Sequence, residues 1–355
     1  MKEKRLKILR KRLREEGLEG LLVKGEANIY YLSGFSGQDS LLFVTPDDLF
    51  LITDFRYVEE ASKEAPEAKI VRRRGSLFGA AASKARRLRL KRVAFEANFF
   101  TYGDFKALTS RDKRRFVPVV GLVERLRERK DAEEIKMIKT STRIAERAFT
   151  RLKQIIEPGA TEKEIADELE MLLRREGAEG SSFPIIVAAG KRASLPHARP
   201  GEHPIGKNEA LLIDWGARFN FYNSDLTRVI FMGKISKKMR RVYETVLEAG
   251  RRAIKTIKPG VEIKEVDRAA REYIASQGFG LRFGHGLGHG VGLEVHEAPT
   301  VGPKSKGRLR VGMVFTVEPA VYIPNWGGVR IEDTVRLTRT GCEVLSRLPK
   351  GLENI

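Results

Sequence analysis

A chain of 355 residues with 41% hydrophobic and 32% charged residues suits two globular domains and can bury a sizeable core. No run approaches the ~18 uninterrupted apolar residues of a membrane span, and the charged stretch Met1–Arg10 lacks the apolar segment of a signal peptide. A single cysteine, Cys342, excludes an internal disulfide and a cysteine-based zinc site, so the expected setting is the cytoplasm, away from any membrane.

In chain order, charged residues spaced with Leu6, Ile8, Leu9 and Leu13 predict an opening helix. Short apolar runs at Leu21–Val23, Leu41–Val44, Leu49–Thr53 and Val93–Phe95, separated by turns and helical patterns, predict strands of a compact α/β unit. No acid or aromatic spacing there suggests catalysis, so this unit reads as a scaffold or lid. Lys plus Arg outnumber Asp plus Glu by 67 to 47, a net charge of +20. Residues 1–120 carry 26 basic and 16 acidic residues, and Arg72–Arg92 holds nine basic residues and no acid. Nucleic acid is the partner such a surplus raises. With no zinc finger, helix-turn-helix or RNA-binding aromatic motif beside it, a solvated basic face is the preferred reading.

The charged stretch Arg125–Lys139 predicts a helix that starts a new domain, which divides the chain into residues 1–122 and 123–355. The second part repeats itself. Ile156-Glu-Pro-Gly-Ala-Thr-Glu-Lys-Glu-Ile165 matches Ile257-Lys-Pro-Gly-Val-Glu-Ile-Lys-Glu-Val266 at an offset of 101, with five identities in ten. Each Pro-Gly precedes a helical pattern, Ala166–Glu176 and Asp267–Gln277, that stops at Gly177 or Gly278. The match indicates a duplicated half-domain. It continues into the apolar strands Ala210–Gly216 and Met313–Pro319, which reach Asp214 and Glu318; each is followed by a second acid, Asp225 or Glu332.

Any one of these acids alone reads as an ordinary strand-end carboxylate. If the halves pack about a pseudo-two-fold axis, all four converge. His197, His285, His289 and His296 lie in glycine-rich segments of the same region, whereas His203, beside Pro204, reads as solvated. Four carboxylates offset the +4 of two divalent cations, and one imidazole completes the protein ligands. Oxygen-rich ligation with one nitrogen suits Mn²⁺, Co²⁺ or Fe²⁺ and admits Zn²⁺. Two metals ~3.5–4 Å apart lower the pKa of a shared water and polarise a carbonyl, so hydrolysis is the expected chemistry. In Gly284–Gly292 glycine recurs almost every second residue. This disfavours a helical face shared by His285 and His289 and predicts close backbone approach to a ligand. Neither a Gly-Lys-Ser/Thr nucleotide loop nor a zincin His-Glu-x-x-His is present.

The motifs Leu-Pro-His197, Ile-Asp214-Trp-Gly, Ser-Asp225-Leu-Thr-Arg, His285-Gly-Leu-Gly-His289-Gly-Val-Gly-Leu-Glu-Val-His296-Glu, Val-Glu318-Pro and Val-Arg330-Ile-Glu332-Asp together resemble the pita-bread metallopeptidases, specifically Xaa-Pro aminopeptidases and prolidases. The resemblance spans nearly the whole chain. It implies an α/β (α+β) protein: a creatinase-like N-terminal α/β domain followed by a C-terminal pita-bread catalytic domain with pseudo-two-fold duplicated halves. It further implies that Asp214, Asp225, His289, Glu318 and Glu332 bind two divalent ions, Mn or Co ahead of Zn or Fe, with Asp225 and Glu332 bridging. Glu318 would accept the proton of the attacking water, and His197 and His296 would hold the substrate and stabilise the tetrahedral intermediate. His285, Tyr322 and Arg330 match positions near the proline-side pocket. Ala320 departs from the glycine usual after the Glu-Pro pair without removing a catalytic group.

The implied reaction is hydrolysis of the N-terminal Xaa-Pro bond of short proline-containing peptides, by a homodimer. A dipeptidase and an aminopeptidase remain alternatives. A methionine aminopeptidase-like enzyme is disfavoured, because Arg330-Ile-Glu332-Asp333 stands where that group has Gln-Phe-Glu-His and because of the extra N-terminal domain. A non-catalytic binding protein on the same fold is disfavoured because all five ligand positions are filled, as is creatinase-type chemistry, whose relatives lack the full ligand set.

Three Gln, seven Asn and one Cys among many Arg, Lys and Glu form a composition associated with hot environments. Calorimetry should therefore give a melting temperature well above the ~45–65 °C of mesophilic domains; a transition inside that range counts against this reading.

Overall fold

The computed structural model describes residues 2–110 and 115–354, and the chain divides into two units, Met1–Arg127 and Glu128–Ile355. In the first unit, α1 (Lys2–Glu15) buries Leu6, Leu9 and Leu13. Ile8, off that stripe, is 41% exposed. A mixed six-stranded sheet follows, built from β1 (Gly20–Val23), β2 (Leu41–Val44), β3 (Leu49–Thr53), β4 (Lys69–Arg72), β5 (Val93–Glu96) and β6 (Phe116–Val119) in the order β4-β3-β2-β1-β5-β6. The four central strands match the apolar runs of the sequence. The two edges do not: β4 is largely exposed, and β6 carries Pro118, which an edge strand tolerates because it lacks a ladder donor. Around the sheet run α2 (Glu26–Ser33), α3 (Val58–Glu64), α4 (Leu77–Arg87), α5 (Tyr102–Thr109) and the single turn α6 (Glu124–Arg127). Across the basic run, α4 buries Ala81, Ala82 and Ala85, while Arg72, Arg74, Arg87, Arg89, Lys91 and Arg92 are exposed.

The stretch expected to form one helix from Arg125 to Lys139 is broken. After α6 the chain leaves helical geometry, and α7 (Ala132–Leu152) begins at Asp131, whose side chain accepts from the amides of Glu133 (3.0 Å) and Glu134 (3.1 Å) while Glu134 accepts from Asp131 N (3.0 Å). This capping box satisfies the first-turn donors and stops the helix from running backwards.

The second unit repeats a layered plan. Helices α7 and α8 (Glu162–Arg175) cover one half, and α9 (Lys237–Thr256) and α10 (Ile263–Ser276) the other. Strands β7 (Gly180–Ser181), β8 (Ile186–Ala189), β9 (Ala210–Trp215), β10 (Ala217–Phe219), β11 (Tyr222–Asn223) and β12 (Leu226–Phe231) belong to the first half. The second holds β13 (Gly288–Gly290), β14 (Glu297–Val301), β15 (Val314–Val317), β16 (Ala320–Ile323), β17 (Gly327–Arg330), β18 (Asp333–Leu337) and β19 (Cys342–Val344), and β20 (Glu353–Asn354) returns to pair with β12. The main sheets are β20-β12-β9-β8 and β14-β13-β15-β18-β19. An isolated bridge between Thr227 and Glu332 links them.

The duplication is visible in matching bonds. Gly159 N donates to Ile205 O and Gly260 N to Leu309 O, both at 2.9 Å, and the bridges Thr161–Pro204 and Glu262–Arg308 follow. Both glycines have positive φ, +99° and +86°. Strand alternation then aims the chains: in β9, Leu211, Ile213 and Trp215 face the α7–α8 core while Ala210 and Leu212 face the α9–α10 core, and Asp214 shares their parity. Among the described residues no helix is long and apolar enough to cross a membrane.

One buried acid in the first unit carries a pH consequence. Glu96 accepts from Lys24 N (2.8 Å), Gly25 N (2.9 Å) and Asn28 Nδ2 (2.7 Å); Asn28 also donates to Glu124 Oε1 (3.1 Å) and accepts from Arg127 Nη1 (2.8 Å). Burial, opposed by these bonds and aided by the Glu124 charge, pushes Glu96 up to about 7. The folded state therefore binds its proton more tightly than the unfolded chain does, and stability falls as pH rises from 4.5 towards about 7. Denaturant melts across this window should lose at most about 3 kcal/mol, and Glu96→Gln should remove most of the slope.

Candidate metal centre

All ten residues singled out from the sequence line one cavity of about 700 Å³. Asp214 sits inside β9 rather than at its end, Glu318 directly follows β15, and Asp225 and Glu332 immediately precede β12 and β18. Asp225, Glu332 and Asp214 are buried. Ligand atoms of Asp225, His289 and Glu332 all lie within 4.8 Å of one another, and His289 Nε2 stands 3.6 Å from Asp225 Oδ2 and 3.4 Å from Glu318 Oε1.

His289 Nδ1 lies 3.1 Å from Gly290 O, which assigns the ring proton to Nδ1 and turns the Nε2 lone pair towards the two carboxylates. Burial, then neighbouring His296, hold His289 down at about 4, so it is neutral at pH 7. A lone pair facing two carboxylate oxygens is repulsive unless a cation sits among them. The acids give the same answer. Burial and the other acids push Asp225 and Glu332 well above the ordinary carboxylate range, and burial pushes Glu318 up to about 8. Fully ionised, the four acids carry −4, and Arg330 returns only +1. Two divalent ions would bring the set to +1. Among the described residues, the buried oxygen Oδ1 of Asp214 also has no hydrogen-bond partner. The donor set fits a cationic metal centre.

Two threonines, not singled out from the sequence, orient the acids. Thr227 Oγ1 donates to Glu332 Oε2 (2.7 Å), and Thr316 Oγ1 donates to Glu318 Oε1 (3.2 Å) while accepting from His289 N (3.0 Å). Thr316 and Glu318 are two residues apart beside the same strand, a period-two signal that could have exposed the pairing. Arg330, expected near the proline-side pocket, lines the cavity and is also hydrogen-bonded to the protein. It donates to Asp214 Oδ2 (2.5 Å), Thr227 Oγ1 (3.1 Å), Pro196 O (3.3 Å) and the Tyr322 hydroxyl.

His285 packs edge-on to Phe283 and 5.8 Å from the Tyr322 ring, with Nδ1 on Gly286 O (2.7 Å) and a buried Nε2 that has no hydrogen-bond partner among the described residues. His296 lies 4.0 Å, ring to ring, from His289, and His197 is exposed at the cavity edge. Gly284, Gly286 and Gly288 line the cavity, and two glycines of the segment also meet neighbouring strands. A Cβ on Gly288 would stand 2.0 Å from Thr316 O, and one on Gly290 2.2 Å from Ala298 O. They admit neighbouring backbone.

Residues 136–339 match metallopeptidase family M24, and residues 5–129 match the creatinase/prolidase N-terminal domain. The chain is 38% identical, over 98% of its length and 99% of the relative's, to an uncharacterized peptidase of Bacillus subtilis. It is 35% identical, over 99% of its length and 100% of the relative's, to the Xaa-Pro dipeptidase of Pyrococcus furiosus. Among solved structures, the Xaa-Pro dipeptidase from Bacillus anthracis superposes with a TM-score of 0.97 at 39% identity, covering 100% of both chains. The X-Pro aminopeptidase from Thermotoga maritima does so at 0.92 and 37%, covering 99% of each.

If repulsion between acids is relieved by cations, Mn²⁺ should raise the melting temperature of the wild-type protein. Asp225→Asn and Glu332→Gln should each raise the metal-free melting temperature by about 2–4 °C while abolishing the Mn²⁺-dependent rise, as read by scanning calorimetry with and without a chelator.

Proposed function

Because the chain belongs to metallopeptidase family M24, we propose that it is a metal-dependent peptidase that hydrolyses the N-terminal Xaa-Pro bond of short peptides. The observation that carries this reading is the convergence of four acids and His289, with a lone pair aimed among carboxylates, on one cavity of peptide size. In this reading Asp214, Asp225, His289, Glu318 and Glu332 hold two divalent ions, with Mn or Co favoured and Zn or Fe admissible on donor chemistry. Bound there, such ions make water acidic and polarise a carbonyl.

The remaining chemistry falls to the protein. Glu318, raised by burial to about 8 in the metal-free chain, is within reach of His289 and Thr316 and serves as proton acceptor from the attacking water. His197 and His296 approach from the rim and hydrogen-bond the developing oxyanion. An Xaa-Pro bond has no N–H, and proline fixes φ, so recognition falls to a ring-shaped pocket; His285 and Tyr322, packed together, supply its wall. Arg330 keeps Asp214 and the Tyr322 hydroxyl in place. Catalysis belongs to the unit expected at 123–355, with residues 1–122 as scaffold.

Arg199 bears on peptide length. It lines the cavity, and its guanidinium has no ion-pair or hydrogen-bond partner among the described residues. A free cation at the mouth favours a substrate whose own carboxylate ends there, which supports a dipeptidase over an enzyme for longer peptides. Composition supports a heat-stable cytoplasmic protein, and the family resemblance a homodimer.

The deciding assay loads the protein with Mn²⁺ or Co²⁺ and compares Ala-Pro with Ala-Pro-Ala, using a chelator control. Glu318→Ala should cost at least ~100-fold in kcat with metals still bound, and a variant retaining most of its turnover removes Glu318 from the mechanism. Arg199→Ala should raise KM for Ala-Pro about tenfold, near the value of one charge-assisted contact, and leave Ala-Pro-Ala unchanged.

A further inference from the structure

Two carboxylates of the second unit are completely buried outside the acid cluster: Glu162 in α8 and Asp267 in α10, both 0% exposed. A buried charge persists only with a partner, and each has one arginine. Both Glu162 oxygens lie 2.9 Å from Arg192 Nε, and Asp267 is gripped at 2.8 Å by both Nε and Nη2 of Arg271.

Each pair also holds a loop of the site. Glu162 accepts from Ala189 N (2.9 Å) and Gly201 N (3.2 Å), the two ends of the segment that carries His197, and Arg192 Nη2 donates to Arg199 O (2.7 Å) inside it. Asp267 accepts from Leu287 N (3.1 Å), and Arg271 donates to Phe283 O (2.8 Å) and His285 O (2.7 Å), with its guanidinium 4.3 Å from the Phe283 ring centroid. Thus each half closes one histidine-bearing loop with a carboxylate–guanidinium pair rooted in its second helix.

These residues are not repeat partners. The offset of 101 sets Ile263 against Glu162 and Ala166 against Asp267. Arg192 lies in the loop it closes, whereas Arg271 lies one turn along the helix from its acid. The same device occurs twice with side chains from different positions. Both loops need outside support: Gly284–Gly292 has few side chains to pack, and glycine gives the chain conformational freedom.

We propose that Asp267–Arg271 and Glu162–Arg192 are positioning pairs. The first sets the backbone that presents His285 and His289, and the second the backbone that presents His197. The inference rests on the reading of the cavity as a peptidase centre, but its test does not depend on activity alone. Lysine keeps the charge of Arg271 or Arg192 but cannot span a carboxylate and loop carbonyls with one planar fork. Arg252→Lys, in the exposed pair with Glu248 at 3.0 Å, is the control.

Arg271→Lys and Arg192→Lys should each lower kcat for Ala-Pro about tenfold or more, with KM within about threefold of wild type, and the control should match wild type. Amide hydrogen exchange should rise locally, over 283–290 in Arg271→Lys and over 190–201 in Arg192→Lys. Calorimetric Mn²⁺ affinity should fall in Arg271→Lys, because His289 follows Leu287 by two residues, and hold in Arg192→Lys, whose loop carries no proposed ligand. A kcat within twofold of wild type in both variants, or exchange that rises uniformly through the unit, overturns the proposal. Should the wild-type protein not cleave Ala-Pro, the functional reading fails while exchange still decides on positioning: a local rise upholds it, and none overturns it.

Discussion

Mutual repulsion among carboxylates held out of water is the constraint on which this site depends. Asp225 and Glu332 are buried side by side, Asp214 and Glu318 add to the field, and one guanidinium, Arg330, offsets a single charge. Left to itself such a set is unfavourable, because charge in a low-dielectric interior is neither solvated nor neutralised. It persists because the surrounding β-strands fix where the acids stand, and because Thr227, Thr316 and Arg330 use their donors on individual oxygens. Affinity for cations follows from that enforced geometry. The protein stores unfavourable electrostatics that only a positive charge can relieve.

Duplication explains how the acids meet. Each half contributes one carboxylate from a central strand or the residue just after it, Asp214 or Glu318, and one from just before the next strand, Asp225 or Glu332. The bridge from Thr227 to Glu332 joins the two sheets at the point where these carboxylates converge. The halves have diverged around this shared frame. His197 comes from the first, whereas His285, His289 and His296 come from one glycine-rich segment of the second. The loops that present His197 and His285 are closed by ion pairs of a buried carboxylate with a partly exposed arginine, and these pairs do not correspond in sequence. Symmetric scaffolding with asymmetric loops lets one half supply most of the imidazoles without disturbing the four-acid centre.

Much of this was legible from residue order. The repeat, the four acids and the four site histidines are local patterns, and the central strands of the first unit follow directly from apolar runs. What was misread depended on short-range competition or on edges. The capping box at Asp131 and Glu134 broke a stretch that composition alone makes continuously helical. Strands β4 and β6 have little apolar signal because edge strands bury little. In Gly284–Gly292, Gly284, Gly286 and Gly288 line the cavity, whereas the second demand on Gly288 and Gly290, an adjacent-strand carbonyl where a Cβ would stand, depends on strand pairing.

Sequence by itself determined the class of chemistry, since carboxylates and imidazoles are chemical groups whose identity does not depend on folding. Tertiary structure alone decided their employment. It bound Arg330 to Asp214 at the cavity wall, set the His289 proton on the nitrogen that faces Gly290, and placed Glu162 and Asp267 behind the histidine loops. These assignments rest on hydrogen bonds between residues up to 116 positions apart. Such bonds depend on distance and direction in space, and no spacing along the chain encodes either.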